Sequence, residues 1–173
     1  CALRLRARGV RPEEVKEILC ETAEGYVHRL WDPLPSKHRP ANAYAAKFST
    51  PFNIAVALVT GGAGLAAFTE ETAKDERILA LASKVRYVVD PKNPYPKAYT
   101  GHIRMTLKDG KVLEERQPHI RGGAHEPLSR ADIEAKFLGN CDYGRWPKER
   151  AERFLKAVPK FFDGALDLTP LRG

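Results

Sequence analysis

Residues 99–116 read "YTGHIRMTLKDGKVLEER", and the period of this stretch decides the architecture. Ile103, Met105 and Leu107 alternate with His102, Arg104 and Thr106. A repeat of two puts one set on a buried face and the other on a polar face, which predicts a strand rather than a helix. His102 falls on the polar, exposed side. Asp109-Gly110 then supplies a two-residue hairpin turn, and the chain returns as a second strand. Glu114 and Glu115 point to opposite faces of that strand, so they form no carboxylate pair.

Upstream, Val85 to Val89 reads as another strand, preceded by a helix "ERILALASK" that Asp75 caps. Thr69 caps the short segment "EETA". Before these lies "AAKFSTPFNIAVALVTGG", residues 45–62. Phe48 to Thr60 is a helix with Ser49 as N-cap, Pro51 in the first turn and Gly61-Gly62 as its stop. Apolar residues cover most of its faces, which predicts burial. No charged residue occurs from Phe48 to Thr69, so Lys47 stands alone at the head of the most apolar segment.

The flanks complete the pattern. Cys1 to Gly9 reads as the last turns of a helix closed by Gly9. Val15 to Thr22 fits either a helix or a buried strand. Trp31 to Pro40 contains three prolines and reads as a loop. Residues 127–140, "PLSRADIEAKFLGN", carry Ser129 as cap, Asp132 at the capping-box position, a Leu128–Ile133 staple and Gly139 as terminator. A last helix starts at Pro147 and buries Ala151, Phe154, Leu155 and Val158. The sum is a single α+β domain over residues 1–173: a small, mainly antiparallel sheet with helices packed on it.

The chain has 173 residues, 43% hydrophobic and 29% charged, the balance of a globular protein. "CALRLRARG" lacks the apolar region of a secretory signal and reads as the cationic face of a helix. No apolar run reaches the ~20 residues a membrane span requires. Cys1, Cys20 and Cys141 are odd in number and show no CxxC spacing, which predicts reduced thiols, a cytoplasmic location and no metal. A site built from Cys20 with His28 or His38 would need unusual spacing. Net charge is +7, and the segment from Lys84 to Arg121 alone has nine Lys or Arg against four Asp or Glu. Such a field suits anionic ligands. A basic module that binds RNA or an acidic partner is the alternative reading. Missing aromatic interleaving and missing basic blocks argue against nucleic acid.

Four strings now stand in order: "AAKFSTPFNIAVALVTGGAGLAAFTEE", "DERILALASKVRYVVDP", "MTLKDGKVLEE" and "PLSRADIEAKFLGNC". Together they resemble the C-terminal domain of the MmgE/PrpD family, over essentially the whole chain. That family includes 2-methylcitrate dehydratase and cis-aconitate decarboxylase. The resemblance implies the lid of a two-domain enzyme, a lyase or isomerase acting on a small polycarboxylate without metal, nucleotide or iron–sulfur cluster. It also implies a helical N-terminal domain carrying most acid–base residues, a homodimer in the full-length protein, and an inactive lid when alone.

Within this resemblance, Lys47 and the exposed N–H groups beside Ser49 make a carboxylate-binding corner. Lys47 and Ser49 are the expected substrate contacts, with Phe52 shaping the pocket. The family has a tyrosine where Phe52 stands, and phenylalanine cannot donate a proton. His125 and Arg121 form a weaker anion-binding pair in a glycine loop; a surface histidine is the plainer reading of His125.

Overall fold

The computed structural model describes residues 1–161 and residue 164. The chain divides into two compact units, Cys1–Glu126 and Pro127–Gly173. The first is an α+β unit built on four strands: β1 (Val15–Thr22), β2 (Val85–Val89), β3 (Gly101–Leu107) and β4 (Val112–Gln117), in the order β2-β1-β3-β4. Its helices are α1 (Ala2–Ala7), α2 (Glu24–Tyr26), α3 (Leu34–His38), α4 (Ala43–Ala46), α5 (Thr50–Thr60) and α6 (Glu76–Ala82).

The ambiguous segment Val15–Thr22 is a strand, and it sits inside the sheet. Ile18 pairs with Val85 of β2 in parallel and with Met105 of β3 antiparallel. With partners on both edges, burial of Val15, Ile18, Cys20 and Thr22 follows the sheet and its bulge rather than a strict alternation. The alternating set Ile103, Met105 and Leu107 is buried as expected. The hairpin turn is one residue longer than expected. The Leu107 N–H donates to Lys111 O at 2.8 Å, and Gly110 takes the left-handed position at φ +89°. Residues 108–110 therefore form the three-residue loop that pairs a turn with a glycine bulge.

α5 is the helix the sequence describes, beginning two residues later. Ser49 Oγ accepts the Phe52 N–H at 3.0 Å, and Gly61 ends the helix at φ +83°. Arg6 of α1 reaches across to the carbonyls of Leu58 and Val59, adding a cation to the negative helix end. Phe52, Ile54, Val56 and Leu58 are all buried, each contributing about 1.5–3 kcal/mol by removal from water. Arg4 and Arg8 pair with Glu115 at 3.3 and 3.5 Å, so the cationic face of α1 is turned toward β4.

Several expectations need correction. The stretch from Trp31 to Pro40 is not all loop, because α3 forms within it. Pro33 is the N-cap of α3 and Pro35 lies in its first turn, where no N–H donor is required. In the second unit, α7 (Arg130–Tyr143) runs past Gly139, since one interior glycine costs only about 1 kcal/mol. The Ser129–Asp132 capping box is present, while Ile133 of the expected staple is 55% exposed. α8 (Lys148–Ala157) begins after Pro147 and buries Ala151; Phe154, Leu155 and Val158 are half-buried. Phe154 stacks on Phe137 at 5.3 Å, with Trp146 edge-on to both.

Candidate functional site

The three residues singled out in the sequence occupy different environments. Ser49 and Phe52 are fully buried. The Ser49 hydroxyl donates to Lys37 O while accepting the Phe52 N–H, so both its roles are structural. Lys37 in turn donates from Nζ to Arg29 O at 2.7 Å and Phe48 O at 2.9 Å. Asn53 adds a third tie, its amide donating to Ser49 O at 2.6 Å. These bonds hold the start of α5 rigid. Lys47 alone remains exposed, at the corner between α4 and α5.

Beside that corner the first unit contains a cleft of about 640 Å³. It opens where β1 ends, β3 begins and α5 starts. Tyr26, Leu30, Trp31, Ile54, Ile103 and Ile120 form its apolar walls. Thr50 and Asn53 of α5 line it too, with Thr22, His102, Gln117 and Arg121 as further polar groups. Its volume lies within the about 300–1,000 Å³ of small-molecule sites, which are likewise mostly apolar with a few placed polar groups.

Two walls are fixed from behind. Trp31, 2% exposed, donates its indole N–H to Thr22 Oγ1 at 3.0 Å. Tyr26 packs against Tyr95 at 4.3 Å between ring centres, and Tyr99 closes the group at 5.7 Å from Tyr95. A side chain at Gly25 would strike the Tyr95 ring at 2.6 Å, so glycine permits this stacking. Burial, with Tyr99 and Tyr95 beside it, pushes the Tyr26 hydroxyl up to about 12. The Cys20 thiol, also lining the cleft, is pushed to about 12 by burial and stays protonated at neutral pH.

His102 is not exposed as expected: its side chain is only 7% accessible. Nδ1 accepts the Glu21 N–H at 3.1 Å, which leaves Nε2 as the donor to Glu114 Oε1 at 3.1 Å. The ring is thus the neutral Nε2–H form, with both nitrogens occupied. Arg116 bridges the Glu21 and Glu114 carboxylates, at 2.7 Å and 2.9 Å. Hydrogen bonding from Arg116 holds Glu21 below the usual carboxylate range, and the bond from His102 does the same for Glu114, with Arg116 assisting. A carboxyl with a depressed folded pKa adds stability above its unfolded value, and that stability is lost as pH falls through the folded value. The melting temperature therefore drops on acidification below 4.5, the unperturbed value for both groups. Arg116→Gln flattens that acid limb. Both carboxylates are largely solvated, so the change is a few degrees in melting curves taken from about pH 3 to 7. Identical acid limbs would mean that Arg116 does not set these ionisations.

Among the described residues no three His, Cys, Asp or Glu side chains converge on a point. No single described helix is long and apolar enough to cross a bilayer. The family model described as the MmgE/PrpD C-terminal domain matches residues 1–161. The chain belongs to the MmgE/PrpD family.

A relative within reach is the mitochondrial 2-methylcitrate dehydratase of Yarrowia lipolytica (strain CLIB 122 / E 150), 28% identical over 162 residues. The match covers 88% of this chain and 30% of that enzyme, so this MmgE/PrpD domain spans under a third of its relative. Sequence reasoning marked Lys47 and the α5 tip but missed the cleft itself. Its lining runs from Cys1 to Arg121, and no local pattern joins them.

Proposed function

We propose that this domain is the substrate-closing lid of an MmgE/PrpD lyase or isomerase acting on a small polycarboxylate. The observation that carries the reading is the position of the α5 tip. Within a domain of this family, Thr50 and Asn53 line the cleft, and the exposed Lys47 precedes Thr50 by three residues. Removing a proton or CO2 beside carboxylates builds negative charge, and a fixed cation with oriented donors stabilises it. Lys47 holds a substrate carboxylate; Ser49, capping α5, and Phe52, packed beneath it, keep the corner in place. Phe52 supplies no proton, and the His102 nitrogens are both engaged. As the family resemblance implies, most of the acid–base residues belong to a helical N-terminal domain across the cleft, and the chain alone is inactive. Closure of the two halves excludes water, and the complete enzyme is a homodimer.

Lys47→Ala in the complete protein tests this, assayed on citrate-like acids and aspartate-derived diacids. The expected result is a loss of about 10²-fold in kcat/KM, with an unchanged melting temperature because Lys47 is exposed. Unchanged kcat and KM on an accepted substrate would remove Lys47 from the site. No turnover of any such acid by the wild type would remove the polycarboxylate reading.

A further inference from the structure

The cleft is more apolar than a bare polycarboxylate requires. A citrate-like acid has polar groups on every side, and burying it against unpaired apolar walls leaves those groups without partners. Here Trp31, Tyr26, Ile54 and Ile103 are among the walls, with Thr50, Asn53 and Arg121 among the few polar residues of the lining. The aromatic part is built rather than incidental. Thr22 fixes Trp31, and Tyr26 stacks on Tyr95 in the space that Gly25 leaves open. Glu21, the carboxylate in the lining, is neutralised by two bonds from Arg116 at 2.7 and 3.0 Å, so an anionic ligand meets little opposition there.

We propose that the cleft takes the apolar arm of the substrate: a di- or tricarboxylate bearing an aryl or branched alkyl substituent. The arm lies against Trp31 and Tyr26, and the carboxylates face the α5 corner at Lys47. This rests on the lid reading above and names the substrate class for that same site. Leu30 and Ile120, which also line the cleft, are the specificity-determining positions.

Titration calorimetry on the complete protein decides it with three probes: citrate, 2-benzylsuccinate and the neutral diamide of 2-benzylsuccinate. The expected result is that 2-benzylsuccinate binds about 30-fold more tightly than citrate or the diamide. Ile120→Asn and Leu30→Asn, which remove apolar wall without adding charge, should each abolish that preference by weakening 2-benzylsuccinate binding. Ile120 is 54% exposed, so its variant keeps the fold even where the Leu30 variant does not. Citrate binding as tightly as 2-benzylsuccinate would overturn the apolar-arm proposal and leave the lid reading standing. The diamide binding as tightly as the diacid would overturn the polycarboxylate reading instead. Failure of all three to bind would overturn both and mark the cleft as a surface covered by the rest of the protein.

Discussion

Phe52→Ala is expected to lower the unfolding free energy by about 3–5 kcal/mol. The ring is fully buried, lies 6.3 Å from the Phe68 ring, and belongs to a helix whose inner residues are nearly all inaccessible. Alanine removes the transfer energy of a phenyl group and leaves a cavity beneath the Lys47 corner. Surroundings tied down by Ser49, Asn53 and Lys37 have little freedom to collapse into it. Urea unfolding measures the effect, with Lys47→Ala as a control expected to lie within about 0.5 kcal/mol of wild type. A cost under about 1 kcal/mol would show that the ring is not packed as described.

Trp31 gives the second large effect, and two substitutions separate its causes. Trp31→Ala costs about 3–5 kcal/mol through lost packing against Tyr87, whose ring centre is 5.0 Å away. Trp31→Phe keeps part of that packing but strips the Thr22 hydroxyl, 6% exposed, of its donor, for about 1–3 kcal/mol. In a Thr22→Val background the Phe substitution should cost less, since no hydroxyl is left unpaired. Equal costs in both backgrounds, measured by chemical denaturation, would show that the indole–hydroxyl bond contributes nothing.

What the sequence disclosed and what it withheld divide along local and non-local physics. The β3–β4 hairpin, the Ser49 and Ser129 caps and the Gly61 stop were readable because each depends on neighbours within a few residues. Val15–Thr22 resisted reading because β2 and β3 flank it, so partners far along the chain decide its burial. The burial of His102 comes from Glu21 and Glu114, brought to it by two other strands. Ser49 shows both cases at once. Its cap was legible, while its second bond, to Lys37 O, depends on how α3 packs. The cleft was least legible, for it is a property of the assembled first unit.

The central place of β1, paired with β2 and with β3, also sets an order of assembly. β3 and β4 are joined by only residues 108–111 and can zip together as soon as they are made. β1 must wait for both its partners, because residues 23–84, with α2 to α6, separate it from β2 and residues 23–100 separate it from β3, and closing a long loop precedes any reward from its contacts. Trp31 and the start of α5 both lie on that returning path. The pocket is thus finished in the same late step that brings β1 beside β3, and a chain stalled before it would hold a formed hairpin and no place for a ligand.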